Sequence, residues 1–359
     1  MPNIAIFNLI NSSNCGDKLI AGSLNSALSA FEISNYDILG NKGRGRFFYF
    51  IKRLLAVSII PVMPEKIRQG IIFFCDFLKI RIFKTPFYRK AIKKADFIII
   101  GGGQLFRDND GYMACAFSSL FCAIQKYRKH FAIIGCGATA NWKNYAKQTF
   151  SKILESPLNV LTVFRDEKSI EVIRNYGIKK DCHIAPDLAF ISGFKENLSE
   201  NTNTLGLCLA SPNTIFYYGK NKACSSVKDC RKKIIKDLFE KISSSKKANI
   251  LIFCNGNPED YRFSKNIYQL AKKRFSEETL LLAPRPKSVK EFEKIIEKTG
   301  CIYSYRMHAA ILASLKNIPL ELARWDSKTD ELDLRSENIK KMIYDAEKLK
   351  EKITDLINK

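Results

Sequence analysis

Histidine is scarce in this chain of 359 residues: there are three, His130, His183 and His308, and none stands at HxxxH-type spacing. No zinc cluster is therefore legible, and neither a metal nor a cofactor is expected. The eleven cysteines form no CxxC pair and lie mostly inside apolar stretches, as in Phe73-Phe74-Cys75 and Ile134-Gly135-Cys136, so they read as reduced core thiols. GxGxxG and P-loop patterns are missing from the polar loop Asn8 to Asp17 that follows the first strand, which argues against a dinucleotide or a Walker-type nucleotide there. No apolar run approaches the roughly 20 residues that span a bilayer. The chain opens directly on the strand Ile4 to Phe7, without the basic, apolar and cleavage regions of a leader. The expected compartment is the cytoplasm.

Acidic residues are also few. Against 59 Lys and Arg there are 36 Asp and Glu, a net charge of +23, which suits nucleic acid, anionic lipid or phosphorylated substrates. No zinc-finger, RRM or KH pattern accompanies the charge, so no specific nucleic-acid contact is expected. About half of the excess sits between residues 41 and 95, where 14 Lys and Arg face 2 Asp and Glu. Aromatic and aliphatic residues interleave with that charge. Such a segment either lies on an anionic membrane surface with its cations at the headgroups, or packs on the domain as a helical insertion with a solvated basic face.

The length predicts two domains. Strand-like runs alternate with helical spacing through residues 1–195: Ile4 to Phe7, a helix from Lys18 to Phe31, the buried run to Ile100, Phe131 to Ala138, and Val160 to Phe164. A polar linker follows from Lys195. A second series occupies 204–325, with strands at Leu205 to Leu209, Asn249 to Phe253, Thr279 to Leu282 and Cys301 to Tyr303. Residues 326–359 read as a charged helical tail. The expectation is two Rossmann-like, doubly wound α/β domains, whose ligands sit beyond the carboxyl ends of the strands.

Chemistry-bearing residues fall at those ends. Gly101, Gly102 and Gly103 follow a buried strand, which predicts either close approach to an anionic ligand or a tight turn. Arg165 ends a strand, either facing a ligand or tied to Asp166. Asp17 is read as the N-cap of the first helix. Arg306 and His308 lie in the turn between a strand and a helix start, where the dipole favours an anion. A guanidinium offers a fork to phosphate or carboxylate, and an imidazole exchanges protons near neutral pH. The alternative is an Arg306 paired with a structural carboxylate and a packed His308. Phe216-Tyr217-Tyr218 is read as a loop, either an apolar platform for a sugar or buried aromatics.

Taken in order, Asn14-Cys15-Gly16-Asp17, Gly101-Gly102-Gly103, Ile134-Gly135-Cys136-Gly137, Phe164-Arg165-Asp166-Glu167-Lys168-Ser169, Ala185-Pro186-Asp187-Leu188-Ala189-Phe190 and Tyr305-Arg306-Met307-His308-Ala309, with Pro319 and Lys328, resemble the polysaccharide pyruvyl transferase family. The resemblance implies a fold like the GT-B glycosyltransferases, with the active site in the interdomain cleft. It also implies transfer of pyruvate from phosphoenolpyruvate to sugar hydroxyls of a surface polysaccharide precursor, forming a ketal. By that likeness Arg306 and His308 match positions that hold phosphoenolpyruvate, and Arg165 another basic position near it; Gly101, Gly102, Gly103 and Asn14 are read as further substrate-binding residues. His308 is the general acid, and Asp17 or Asp187 the hydroxyl base. The implied partners are phosphoenolpyruvate and a glycan or lipid-linked glycan acceptor; the charge of residues 41–95, on its membrane reading, adds a peripheral position on the inner face of the cell membrane. The sequence departs from the family where Gly137 leads to Ala138-Thr139-Ala140 instead of a Gly-Pro-like turn. Two rivals stand beside this expectation: a GT-B glycosyltransferase using a nucleotide sugar, and a non-catalytic member that binds glycan or membrane.

Overall fold

The computed structural model describes residues 1–39, 78, 80–108, 111–193, 203–219, 224–275, 279–325, 332, 334 and 336–358. Most of the basic stretch 41–95, and Lys328, lie outside the described residues. The chain divides into two compact units. The first comprises Met1–Asn11, Ile20–Leu188 and Ala346–Lys359; the second comprises Ser12–Leu19 and Ala189–Asp345. Neither is contiguous in sequence.

The first unit holds a six-stranded parallel sheet: β1 (Asn3–Asn8), β2 (Glu32–Asp37), β3 (Phe97–Phe106), β4 (Phe131–Ala138), β5 (Asn159–Phe164) and β6 (His183–Ile184), in the order β2-β1-β3-β4-β5-β6. Continuous apolar runs such as Ile98-Ile99-Ile100 become central strands because both faces are covered. The covering helices are α1 (Cys15–Ala27), α2 (Thr85–Lys94), α3 (Tyr112–Tyr127), α4 (Asn144–Leu154) and α5 (Glu167–Asn175). Phe106 anchors the core, with Phe117, Phe150 and Phe164 packed edge-on or tilted around it at 5.1–5.6 Å.

The second unit repeats the plan with β7 (Thr204–Cys208), β8 (Asn249–Phe253), β9 (Leu280–Leu282), β10 (Cys301–Ser304) and β11 (Leu320–Leu322), all parallel in the order β11-β10-β7-β8-β9. Its helices are α6 (Pro212–Tyr218), α7 (Val227–Ser244), α8 (Pro258–Lys272), α9 (Val289–Ile296) and α10 (Met307–Leu315). The long α11 (Ser336–Asn358) is divided between the units. Ser211, Ser226, Asn257 and Ser288 cap α6, α7, α8 and α9 through their side-chain oxygens, relieving unpaired first-turn amides. Helix α10 is apolar on every side, and His308 to Leu315 are all buried, as a central helix requires.

In both sheets the direction of strand addition reverses, between β1 and β3 in the first and between β7 and β10 in the second. Ligands of open α/β sheets bind beyond the carboxyl ends at such reversals.

Several expectations need correction. The glycines Gly101 to Gly103 do not form a turn after the strand: they are buried inside β3, which runs on to Phe106 past a register shift. Helix α1 begins at Cys15, so Asp17 lies in its first turn, while Asn14 accepts the Gly16 amide at 2.9 Å and does the capping. The segment carrying Phe216 to Tyr218 is a helix, started by the Ser211 cap and Pro212 in the first turn. Not all described cysteines are free. Cys224 stands just before the Ser226 cap of α7 and Cys230 in its first turn, which brings their Cα atoms to 5.1 Å in a disulfide. The other eight described cysteines are free. No described helix is long and apolar enough to cross a membrane.

Candidate functional site

In the second unit the carboxyl ends of β7, β8 and β10 converge on Arg306. Its backbone is fixed by Ser304, whose hydroxyl accepts the Arg306 N–H at 3.0 Å and donates to the Arg306 carbonyl at 2.8 Å. Arg306 is thereby held extended as the N-cap of α10, and no side chain caps that helix. One terminal guanidinium nitrogen donates to Asp260 Oδ2 and, at 3.4 Å, to Thr214 Oγ1. Asp260 is fully buried at the start of α8, and its Oδ1 accepts the Ser211 N–H at 2.8 Å. Burial pushes its carboxyl pKa up, and the Arg306 charge pulls it back. The Arg306 side chain stays 16 % exposed, while its Nε is buried with no hydrogen-bond partner among the described residues. A buried donor left without an acceptor is costly, and such an atom calls for an explanation.

His308 follows one step into α10 and is buried. It packs against the first turn of α1: a side chain at Gly16 would collide with the imidazole, its Cβ lying 2.6 Å from His308 Cγ. Hydrogen bonds tie the Asn14-Cys15-Gly16-Asp17-Lys18 segment into this unit. Cys15 N–H donates to the Asn255 carbonyl at 2.7 Å, Asn255 Nδ2 donates to Asn14 Oδ1 at 2.7 Å, and Lys18 Nζ donates to the Lys287 carbonyl at 2.6 Å. Asn14 Oδ1 therefore serves both Gly16 and Asn255. Asp17 is half-buried. Residues 14, 17, 306 and 308 thus belong to one unit, although almost 300 residues separate the two pairs.

The first unit gathers the remaining candidates around Arg165. Its guanidinium meets Asp166 at 3.4 Å, Asp187 at 3.3 Å and the Gln104 amide oxygen, and its side chain is only 5 % exposed. Asp166 also caps α5 through the Ser169 N–H. The cage is tight, since a Cβ at Gly137 would stand 3.0 Å from the guanidinium. Gly102 has a left-handed φ of +80°, and a Cβ there would overlap Ile20. The glycine is thus demanded both by backbone and by packing. Arg165 and Asp187 are brought together; Gly101 to Gly103 lie inside β3, directly before the Gln104 that meets Arg165.

Three free thiols, Cys15, Cys208 and Cys254, lie at or beside these ends of the second unit. Burial pushes Cys15 up to about 11, Cys254 to about 12 and Cys208 well above its ordinary value, so none is a ready nucleophile at neutral pH. No group of three or more His, Cys, Asp or Glu among the described residues is arranged to hold a metal.

Sequence reasoning missed Asp260, Ser211, Thr214, Asn255 and Gln104. The Ser-Pro-x-Thr run at Ser211 carried a helix-start signal. Asp260 carried none, because its partners lie 46 and 49 positions away.

A family model described as polysaccharide pyruvyl transferase matches residues 14–320. No curated protein sequence matches the chain significantly. Among solved structures, OtsA without ligand is similar with a TM-score of 0.53 at 8 % identity, covering 100 % of this chain and 99 % of that one. The UDP-GlcNAc 2-epimerase of Methanocaldococcus jannaschii has a TM-score of 0.46 at 13 % identity, covering 99 % and 92 %. An α-glucosyltransferase solved with UDP and DNA has 0.49 at 9 %, covering 100 % of both. At 8 % identity the likeness to OtsA concerns the fold alone: two parallel-sheet α/β domains of GT-B type.

Proposed function

Because the chain belongs to the polysaccharide pyruvyl transferase family, we propose that it transfers pyruvate from phosphoenolpyruvate to two hydroxyls of a sugar in a surface-polysaccharide precursor. The observation that carries this reading is Arg306: a cation at the reversal point of the second sheet, at the start of an uncapped helix, paired through one nitrogen and with its buried Nε unmatched. Phosphoenolpyruvate brings a carboxylate and a phosphate, the two anions a guanidinium fork and a helix start receive best.

The reaction needs three events. The methylene carbon takes a proton while a sugar hydroxyl adds to C2 and gives up its own proton. The C2–O bond to phosphate then breaks, with the electron pair leaving on phosphate. A second hydroxyl closes the ring on C2 and loses its proton, so that a cyclic ketal and inorganic phosphate are the products. We assign the first proton to His308, an imidazole two residues beyond Arg306 at the same helix start. For the hydroxyl base we assign Asp17, half-buried in the turn against which His308 packs. Asp187 is the alternative, but it is engaged with Arg165 at 3.3 Å. Arg165, enclosed by Asp166, Asp187 and Gln104, is assigned to holding its strand end and Asp187 in position. No metal or cofactor enters this scheme. The basic excess of residues 41–95 supports an acceptor met at an anionic membrane surface, facing the cytoplasm.

The test is thermal stabilisation of the wild type and of the Arg306→Ala/His308→Ala double variant by phosphoenolpyruvate and by a panel of nucleotide sugars. A ligand that binds only the folded state adds about 2.7 kcal/mol at a hundredfold excess over Kd. The reading expects a shift with phosphoenolpyruvate that the double variant loses. A shift with a nucleotide sugar alone would transfer the assignment to glycosyl transfer, and no shift with any of them to a binding protein.

A further inference from the structure

Arg306 is held by an acid that no sequence motif announces. Asp260 is fully buried, and its two oxygens go to different partners: Oδ1 to the Ser211 N–H at 2.8 Å and Oδ2 to one Arg306 terminal nitrogen. A carboxylate paired with an arginine frequently takes two of its donors in a fork. Here the pairing is single, and the Arg306 Nε is left with no acceptor among the described residues. Asp260 is also positioned from below, because Ser264 Oγ donates to its carbonyl at 2.9 Å within α8. The Ser211 link ties the loop after β7 to the same carboxylate, and Thr214, one turn into α6, supplies the second acceptor near Arg306.

Stability is a poor reason for this arrangement. A buried ion pair seldom outweighs its desolvation, and apolar replacements of similar volume are often as stable or more so. What the arrangement does achieve is to fix the guanidinium plane by one corner.

We propose that Asp260 is the positioning residue of the donor site, holding Arg306 by a single nitrogen so that its remaining donors stay committed to an incoming phosphate or carboxylate. The inference rests on the assignment of Arg306 to donor binding. It goes further by naming the residue through which that arginine is aimed, together with Ser211 as the backbone anchor of the acid.

The experiment is a double-mutant cycle on the full chain, combining Asp260→Asn with Arg306→Ala and reading phosphoenolpyruvate affinity by calorimetry alongside KM and kcat for phosphate release. Asn keeps the size of Asp and one oxygen for Ser211 but cannot fully hold a cation. The expected result is a loss of roughly tenfold or more in donor affinity for D260N, seen mainly in KM, and almost no further loss when it is added to R306A, since coupled residues are non-additive. Asp260→Glu, which restores the charge, is expected to recover part of the affinity; it also supplies the arm if D260N does not fold. Additive losses, or a D260N that binds the donor like wild type, overturn the proposal. A wild type that binds no phosphoenolpyruvate refutes the donor assignment first. The cycle is then run with inorganic phosphate, and if no anion binds the wild type the positioning role falls as well.

Discussion

Two arginines end strands in this protein, one in each unit, and they are held in opposite ways. Arg165 is 5 % exposed and faces two carboxylates and an amide oxygen, so its donors are shared out among the protein's own groups. Arg306 is 16 % exposed and faces one carboxylate and a hydroxyl, with a buried Nε unmatched. Both stand where a ligand of an open α/β sheet would be sought. The contrast separates an arginine that meets protein groups through all three guanidinium nitrogens from one held through a single nitrogen.

The largest expected effect is on stability, and both arginines share it: Arg165→Ala leaves the buried Asp187 without its cation and Arg306→Ala does the same to the fully buried Asp260. Breaking such a buried pair costs about 3–5 kcal/mol, to be read from the urea unfolding midpoint. Ligand binding is where the two part: Arg306→Ala should weaken phosphoenolpyruvate roughly a hundredfold, since hydrogen bonds to charged groups contribute about 1.5–3 kcal/mol, and Arg165→Ala far less. If R165A weakens the donor as much as R306A, the contrast is drawn in the wrong place.

A smaller effect comes from Gly16→Ala, which would push its new methyl into the His308 imidazole. Overpacking of this kind costs about 1–3 kcal/mol, and kcat should fall with it because the proposed acid is displaced. The corresponding change at Gly177 is a control: it has φ +79° with nothing within 4 Å, so Gly177→Ala should cost only the backbone strain of about 1–2 kcal/mol and leave kcat alone. The smallest effect is the pH dependence of the Arg306 seat. Burial raises the Asp260 pKa, so its stabilising contribution is complete below the unfolded value of about 3.9 and is lost as pH rises through the folded one. Unfolding free energies from pH 4 to 7 should therefore show wild type losing ground to D260N as pH rises.

Much of the scaffold was legible because burial on both faces leaves an unmistakable apolar run, as at Ile98-Ile99-Ile100 and Ile250-Leu251-Ile252. β2 was not, because Glu32-Ile33-Ser34-Asn35-Tyr36-Asp37 is a half-buried, largely polar edge strand. The glycine triplet hid the continuation of β3, since glycines ordinarily punctuate a strand and here pass through it under a bulge. The Arg306 and His308 turn could be read from a strand, a helix start and a charged residue, all local. Asp260 could not, because nothing near it in sequence tells which distant arginine it will meet. The Cys224–Cys230 bridge escaped for a smaller reason: its spacing matches no CxxC pattern, and only the cap of α7 brings the two together.

The bond from Asn255 to Asn14 has a consequence in time. Asn14 leaves the ribosome early, yet the group that engages its side chain is made 241 residues later. At about 5–20 residues per second that is a delay on the order of ten to fifty seconds. Throughout it the first strands can pair, while the short stretch from Ser12 to Leu19 waits, unsheltered, for the half of the protein to which it belongs.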